Sequence, residues 1–308
     1  MVIVRIPGGT AWWNLSNLTK AIIVILFGIF SFDLMSLIVK LFSNRYDILQ
    51  ISVLRNLFGF IPPLAVVFFS IGLSKRALRT SGKEFYLSVS RAISICFAQV
   101  CFYTALAKIE FAIAITLAFV GPFFVTALSI PVLGLKVGVW RWGAILLGFV
   151  GVLMVMRPGF SGFSIFYLCP VGAALGYAVS SILVRLYYST TDSGIIQLHT
   201  QIYTLIFSLL IMYTFIDPVP IQSLFDGALF LAIGLFGGIG VLCLIACYRM
   251  TEPSQIAPFE YFSIPISFFL GWYFFSEAPL DRLFPGVFII ISSGLVIIWR
   301  ENYNKKIK

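Results

Sequence analysis

Charged residues are scarce in this chain, and their scarcity sets its class. Asp, Glu, Lys and Arg make up 11% of the 308 residues, where a soluble domain carries about 25%. So few charges cannot build a water-facing surface. There is one histidine, His199, and no His/Cys spacing suited to zinc, so no metal centre is expected. The five cysteines, Cys96, Cys101, Cys169, Cys243 and Cys247, all fall inside apolar runs and read as reduced packing thiols. The sequence also lacks a G-x-x-x-x-G-K-[ST] phosphate loop, an H-E-x-x-H, a G-x-S-x-G and a dinucleotide fingerprint on a strand. An ATP-driven pump would therefore need a separate subunit, an intramembrane enzyme would lack its usual chemistry, and no cofactor is expected. Channel filters and Arg-rich voltage-sensor helices are missing as well. No short apolar run with an A-x-A-like site precedes the first helix, so a cleaved signal peptide is not expected.

What remains is mostly hydrocarbon: 60% of residues are apolar and the mean hydropathy is +1.02. A bilayer core needs roughly 20 apolar residues per helix. Apolar runs between polar or Gly/Pro breaks predict helices at 18–39, 51–72, 85–106, 110–131, 139–156, 163–187, 195–216, 224–247, 255–275 and 281–299. The expected fold is thus all-α and integral to a membrane, with about ten transmembrane helices. Trp12 and Trp13 suit either an interfacial belt or a disordered tail.

The net charge of +9 could suggest nucleic acid, but Lys and Arg sit singly or in short runs at the ends of apolar segments and read as topology signals. With the N-terminus in the cytoplasm, Arg5, Lys20, Lys75, Arg76, Arg79, Lys83, Lys136, Arg141, Arg185, Arg249, Arg300, Lys305, Lys306 and Lys308 all face inward. Outer loops then keep Lys40, Arg45, Lys108, Arg157 and Arg282. That bias predicts both termini inside a bacterial inner membrane. His199, near the start of the seventh helix, is expected at the interface.

The two halves repeat. Ser36-Leu-Ile-Val-Lys40-Leu-Phe42 matches Ser181-Ile-Leu-Val-Arg185-Leu-Tyr187, while Pro122 and Pro265, Gly143 and Gly286, Gly151 and Gly294, and Arg157 and Arg300 share one offset. Residues 1–159 and 160–308 are read as repeats of five helices each. An odd helix number forces the second copy in upside down, an arrangement common among secondary transporters.

Candidate functional residues follow from the cost of polarity in a bilayer, roughly 2.5–3.5 kcal/mol for a charge on insertion scales. Asp33 and Arg55 are predicted at one depth toward the outer face, Arg91 and Glu260 at another toward the cytoplasm. Each couple is either a buried ion pair that fixes packing or part of a path for substrate or a coupling proton. Pro122, Pro258 and Pro265 remove backbone donors from helix interiors. Pro122 and Pro265, as repeat mates, mark either benign kinks or a binding region. Gln99, Tyr103, Thr104, Thr116, Tyr248, Tyr261 and Ser263 would give a candidate cavity a mixed wall suited to a small amphipathic solute, each with helix packing as its plainer alternative.

Tyr248-Arg249, then Pro253-Ser-Gln-Ile-Ala-Pro-Phe-Glu260-Tyr261, Gly271-Trp272, Glu277 with Pro279, Gly286, Ser293-Gly-Leu295 and Trp299-Arg-Glu301 resemble the second repeat of the drug/metabolite transporter superfamily, EamA branch. Phe102-Tyr103, Gly121-Pro122, Arg141-Trp142, Gly148-Phe-Val-Gly151 and Arg157-Pro-Gly159 are similar to its first repeat. Lys136 stands where that repeat commonly has Glu, and Leu244 to Cys247 replace a small-residue run. The resemblance implies a ten-helix inverted-repeat transporter that moves a small organic metabolite by alternating access. It also implies coupling to protons or an exchanged solute, with no nucleic-acid partner. A membrane-embedded enzyme acting on lipid-linked substrates is the alternative. Substrate, direction and oligomeric state are not implied.

Overall fold

A computed structural model of the chain describes residues 15–71, 82–134, 139–156, 163–187, 193–250 and 259–306. Trp12, Trp13, the basic stretch 75–79 and Pro258 lie outside the described residues, as does Arg157. The described residues are mostly helical and contain no strand. The helices are α1 (Asn17–Phe42), α2 (Ile48–Phe58), α3 (Ile61–Ile71), α4 (Gly82–Lys108), α5 (Phe111–Ala118), α6 (Gly121–Leu133) and α7 (Val139–Met156). After a 3-10 turn (Ile165–Tyr167) come α8 (Leu168–Tyr187), α9 (Ser193–Phe215), α10 (Leu224–Met250), α11 (Ser263–Phe275), α12 (Leu280–Leu283) and α13 (Gly286–Lys306).

Seven stretches among the described residues are long and apolar enough to cross a membrane: Asn17–Phe42, Ile48–Phe68, Phe85–Lys108, Phe111–Val132, Ile165–Leu183, Gln197–Phe215 and Leu224–Leu244. Leu146–Met156 and Ser263–Phe275 are shorter apolar helices. Large apolar side chains such as Phe27, Leu146, Leu153, Leu210, Phe269 and Phe288 are exposed. In a chain of this hydropathy such surface fits lipid, and the protein is an integral membrane protein.

Local chemistry sets the helix ends. Ser16 caps α1 by accepting the Thr19 N–H at 3.1 Å, and Asp47 caps α2 through the Leu49 N–H at 2.8 Å. Two runs expected as continuous helices are interrupted instead. The stretch 51–72 breaks at Gly59-Phe60, ahead of Pro62 and Pro63, and 110–131 breaks at Phe119-Val120, ahead of Pro122. A third turn, at Tyr261-Phe262, precedes Pro265. Proline cannot donate to the carbonyl four residues back. Here the preceding residues tighten to bonds three residues long, Phe119 N–H to Thr116 O at 3.1 Å and Ile264 N–H to Tyr261 O at 3.1 Å. Pro122 and Pro265 therefore occupy first turns of new helical segments, where the missing donor does little harm. This corrects their expected place in helix interiors, and both rings are exposed.

Packing joins distant parts of the chain. α1 lies along α10, and α4 lies along α8. α2 packs on both α10 and α9, α4 also meets α9, and α7 pairs with α13. Small residues permit the closest approaches. A Cβ on Gly234 would come within 2.3 Å of Phe58 Cβ and 2.6 Å of the Gly59 nitrogen. Gly151 and Gly286 stand in each other's way similarly, each hypothetical Cβ meeting the other's carbonyl oxygen, at 2.9 and 2.7 Å. The five cysteines are all free thiols.

Candidate functional site

Polar side chains collect at three places in this apolar bundle. The largest group centres on Asn56, in the last turn of α2 before the break. Its amide exchanges two hydrogen bonds with Gln99 of α4, at 3.0 and 3.1 Å, and its Nδ2 also donates to Ser208 of α9 at 3.3 Å. Ser52 donates to Gln99 at 3.1 Å. Because Phe60 bonds Leu57 instead, the Asn56 carbonyl takes its donor from Gln201 of α9, at 2.9 Å. The helix break thus creates an acceptor that a side chain from another helix fills. Sequence reasoning had found Gln99 alone. Ser52, Asn56, Gln201 and Ser208 were missed, although the Gly59-Phe60-Ile61-Pro62-Pro63 run was a usable signal for the break.

Arg55 borders this network. One of its amino groups donates to Asn56 Oδ1 at 3.1 Å, while its Nε is buried without a hydrogen-bond partner. The guanidinium lies against Gly237 of α10, where an added Cβ would approach Nε to 2.9 Å. Tyr103 is buried with its hydroxyl 4.0 Å from Met35 Sδ; Tyr177 on α8 is 40% exposed.

Asp33 does not pair with Arg55. One carboxylate oxygen accepts the Ser263 hydroxyl of α11 at 2.6 Å, and the other has no partner although the residue is only 2% exposed. Two more buried hydroxyls are without a hydrogen-bond partner, Thr116 on α5 and Tyr261, two residues before Ser263. The Tyr261 ring meets Phe119, at the 119–120 break, with centroids 5.1 Å apart. The helix breaks at 119–120 and 261–262 therefore meet through these two rings.

The second expected couple is held differently. Arg91 of α4 donates to Ser180 of α8 at 3.1 Å, and to Thr200 and Gln197 of α9 at 3.1 and 3.3 Å. Glu260 is half-buried on the turn before α11, next to Tyr261. Thr104 bonds back to its own helix at Val100 O. Tyr248 falls on the last turn of α10, and its side chain lies outside the described residues. His199 is 6% exposed on α9, two residues into the apolar span that starts at Gln197.

The third polar group closes one end of the bundle. Lys40 belongs to the last turn of α1, not to an outer loop as expected. Its ammonium donates to Glu277 at 2.7 Å and to the Ile109 carbonyl at 2.8 Å. The other Glu277 oxygen accepts the Phe111 N–H at 2.7 Å, at the start of α5. Glu277 is aimed there because Ser276 ends α11 in the left-handed region, φ 55°. At the same end Tyr46 donates to Asp226 at 2.7 Å and accepts the Gln222 N–H, while the Gln50 amide exchanges two bonds with the Val219 backbone. Burial, the largest influence, pushes the Tyr46 phenol up from its ordinary value. Sequence reasoning had met Glu277 only inside the family pattern.

A polytopic helical membrane protein with broken helices and polar side chains at mid-bundle is the architecture of a transporter. Residues 19–157 match the EamA-like transporter family. Over that stretch, a little under half of its length, the chain is similar to transporters of the drug/metabolite transporter superfamily. It is 25% identical to the S-adenosylmethionine uptake transporter of Rickettsia prowazekii over 95% of this chain and 93% of that one. It is 29% identical to the riboflavin transporter of Rhizobium johnstonii, spanning 62% of that protein's length and 61% of this chain. The pseudopaline exporter of Pseudomonas aeruginosa is 24% identical over 92% of this chain and 95% of its own. A solved crystal structure shares the fold with a TM-score of 0.64 at 16% identity, covering 91% of this chain and 96% of the other. These named relatives are transporters, and none lends support to the membrane-enzyme alternative.

Proposed function

We propose that the protein is a secondary transporter that carries a small organic metabolite across a bacterial inner membrane by alternating access. In this reading about ten spans form two inverted five-helix repeats, 1–159 and 160–308, with both termini in the cytoplasm. The observation that carries it is the exchange of partners across the chain. α1 packs on α10 while α4 packs on α8, and α7 packs on α13. If α8 and α10 are the inverted counterparts of α1 and α4, the first two contacts are one contact seen twice, and α7 with α13 is the meeting of two equivalent last helices. Such an interface lets one repeat rock against the other around a fixed centre.

The full-length relatives include both an uptake transporter and an exporter, so direction is a matter for measurement. S-adenosylmethionine is the first substrate to try, because that relative aligns over nearly the whole chain. Purified protein in proteoliposomes is expected to show saturable flux of a nucleoside-derived metabolite that responds to a proton gradient or to trans solute. Turnover of a labelled lipid-linked substrate without net flux would overturn the reading. Arg91, Gln99, Tyr103, Thr116, Tyr248, Glu260 and Tyr261 are the proposed wall of the path. Glu260→Gln is expected to abolish or uncouple flux while leaving folded protein near the wild-type level; full flux in that variant removes Glu260 from the path.

A further inference from the structure

The polar group at the closed end of the bundle joins the two halves of the chain. The turn between α4 and α5 leaves two backbone groups to be filled, the Ile109 carbonyl at the end of one helix and the Phe111 N–H at the start of the next. Glu110 holds the cap position of α5, yet its side chain makes no capping bond. Both groups are filled from other helices. Lys40 of α1 reaches the carbonyl at 2.8 Å, Glu277 just past α11 accepts the N–H at 2.7 Å, and the two side chains meet each other at 2.7 Å. The cation thus sits on a helix C-terminus and the anion on a helix N-terminus, each at the end of the backbone dipole that suits it.

What this group ties together is two short helical segments, one from each half. α5 runs from Phe111 to the break at Phe119-Val120, α11 runs from just after the turn at Tyr261-Phe262 to Phe275, and the two pack on each other. Gly271 keeps them close, since a Cβ there would lie 3.5 Å from Phe111 Cβ. The Phe275 ring lies 4.9 Å from the Lys40 ammonium and 6.0 Å from the Phe111 ring. Each segment is therefore tied at one end and interrupted at the other. The tie is also within reach of water, with side chains 11% and 22% exposed, and an ion pair that water reaches separates at less cost than a dry one. It belongs to one end only. Both α6 and α11 end in a left-handed residue, Gly134 (φ 65°) and Ser276 (φ 55°), but Leu135-Lys136 follows the first where Glu277 follows the second. In the repeat reading Arg185, the mate of Lys40, finds no acid at the corresponding position.

We infer that the pair of Lys40 and Glu277 is a reversible latch, made when this end of the protein is shut and parted when the path opens there. The latch rests on the transporter reading and gives it a moving part. A transporter that works by alternating access closes one end while the other is open, so a tie between the halves at one end is in place for only part of the cycle. Both Glu277 oxygens let go together, one from Lys40 and one from the Phe111 N–H, while Lys40 keeps Ile109, its partner in the same half. Two bonds lost at once separate the shut and open arrangements into discrete states. With both termini in the cytoplasm, the latched end is the outer one.

Two measurements on the full chain test the latch. In a background with the five native cysteines replaced by alanine, Ala112→Cys puts a thiol beside Gly271, between α5 and α11. A water-soluble thiol reagent is applied to this protein in lipid nanodiscs, where it reaches both faces. Glu277→Gln and Lys40→Gln are each expected to speed labelling at least about tenfold, and the two together no further, because either one alone undoes the pair. Unchanged labelling in both would overturn the latch. The second measurement staples the segments: Phe111→Cys with Gly271→Cys, in the same background, places two thiols at a Cβ separation that suits a disulfide. In proteoliposomes the oxidised form is expected to show at least about tenfold less S-adenosylmethionine flux than the same protein reduced. A pair that only holds the fold together would give equal flux in the two redox states, and that result overturns the latch while the transporter stands. The labelling rates decide by themselves if the stapled variant does not fold. No saturable flux of S-adenosylmethionine or riboflavin by the wild-type protein would overturn the transporter reading and the latch with it.

Discussion

The closed end of the bundle and its middle treat charge in opposite ways. At the end, Lys40 and Glu277 meet at 2.7 Å and together hold the Ile109 carbonyl and the Phe111 N–H, so α1, α5 and α11 are tied by one ion pair. In the middle, Asp33 and Arg55 are more deeply buried than that pair and remain apart. Pairing is what a structural ion pair does. Charges that fold into the interior unmatched lower stability, and they persist where binding needs them. On the proposed reading, the difference separates a part of the molecule that holds the fold in one arrangement from a part that lines the transport path.

The largest expected effect tests the latch. Glu277→Ala leaves Lys40 without its carboxylate and Phe111 without its acceptor, and is expected to cost about 3 kcal/mol of stability. Asp33→Ala removes a buried carboxyl that already leaves one oxygen unsatisfied and is expected to stay within about 1 kcal/mol of wild type while flux is lost. Denaturant or thermal unfolding in one detergent measures both. If Asp33→Ala costs as much as Glu277→Ala, the contrast between the two regions fails.

Packing sharpens the same contrast on a smaller scale. Gly234→Ala would drive a methyl into Phe58 and the Gly59 backbone beside the α2 break, so about 1–3 kcal/mol of overpacking is expected. Gly143→Ala on α7 meets nothing within 4 Å and is expected to gain about 0.5–1 kcal/mol from helix propensity. Equal behaviour of the two variants in an unfolding assay would mean that the α2–α10 contact yields freely.

Much of the architecture was legible because the bilayer constrains length and composition together. Runs such as 18–39 and 224–247 had to be helices, since a spanning segment must satisfy its own backbone. The break at Phe119-Val120 was half legible: Pro122 pointed to it, but its effect was to start a new segment, not to kink an old one. The break at Gly59-Phe60 went unread because the apolar run continues through it. Of the candidate residues, Asp33, Arg55, Gln99, Tyr103, Thr116 and Tyr261 are buried, whereas the Pro122 and Pro265 rings are exposed.

The partners of the charges were the illegible part. Lys40 and Glu277 are 237 residues apart, and nothing near either one names the other. Asp33 and Arg55 looked like partners because they share a depth. Composition and run length determined by themselves that this chain is a bundle of membrane helices, and the first-half resemblance at Phe102-Tyr103, Gly121-Pro122 and Gly148 to Gly151 pointed to the kind of transporter that residues 19–157 match. Tertiary structure alone decided which way each helix turns its polar residues. In water an apolar stripe reveals the inward face of a helix, but in lipid both faces are apolar, so the rotation is set by packing against neighbours such as Gly234, Gly237 and Phe58.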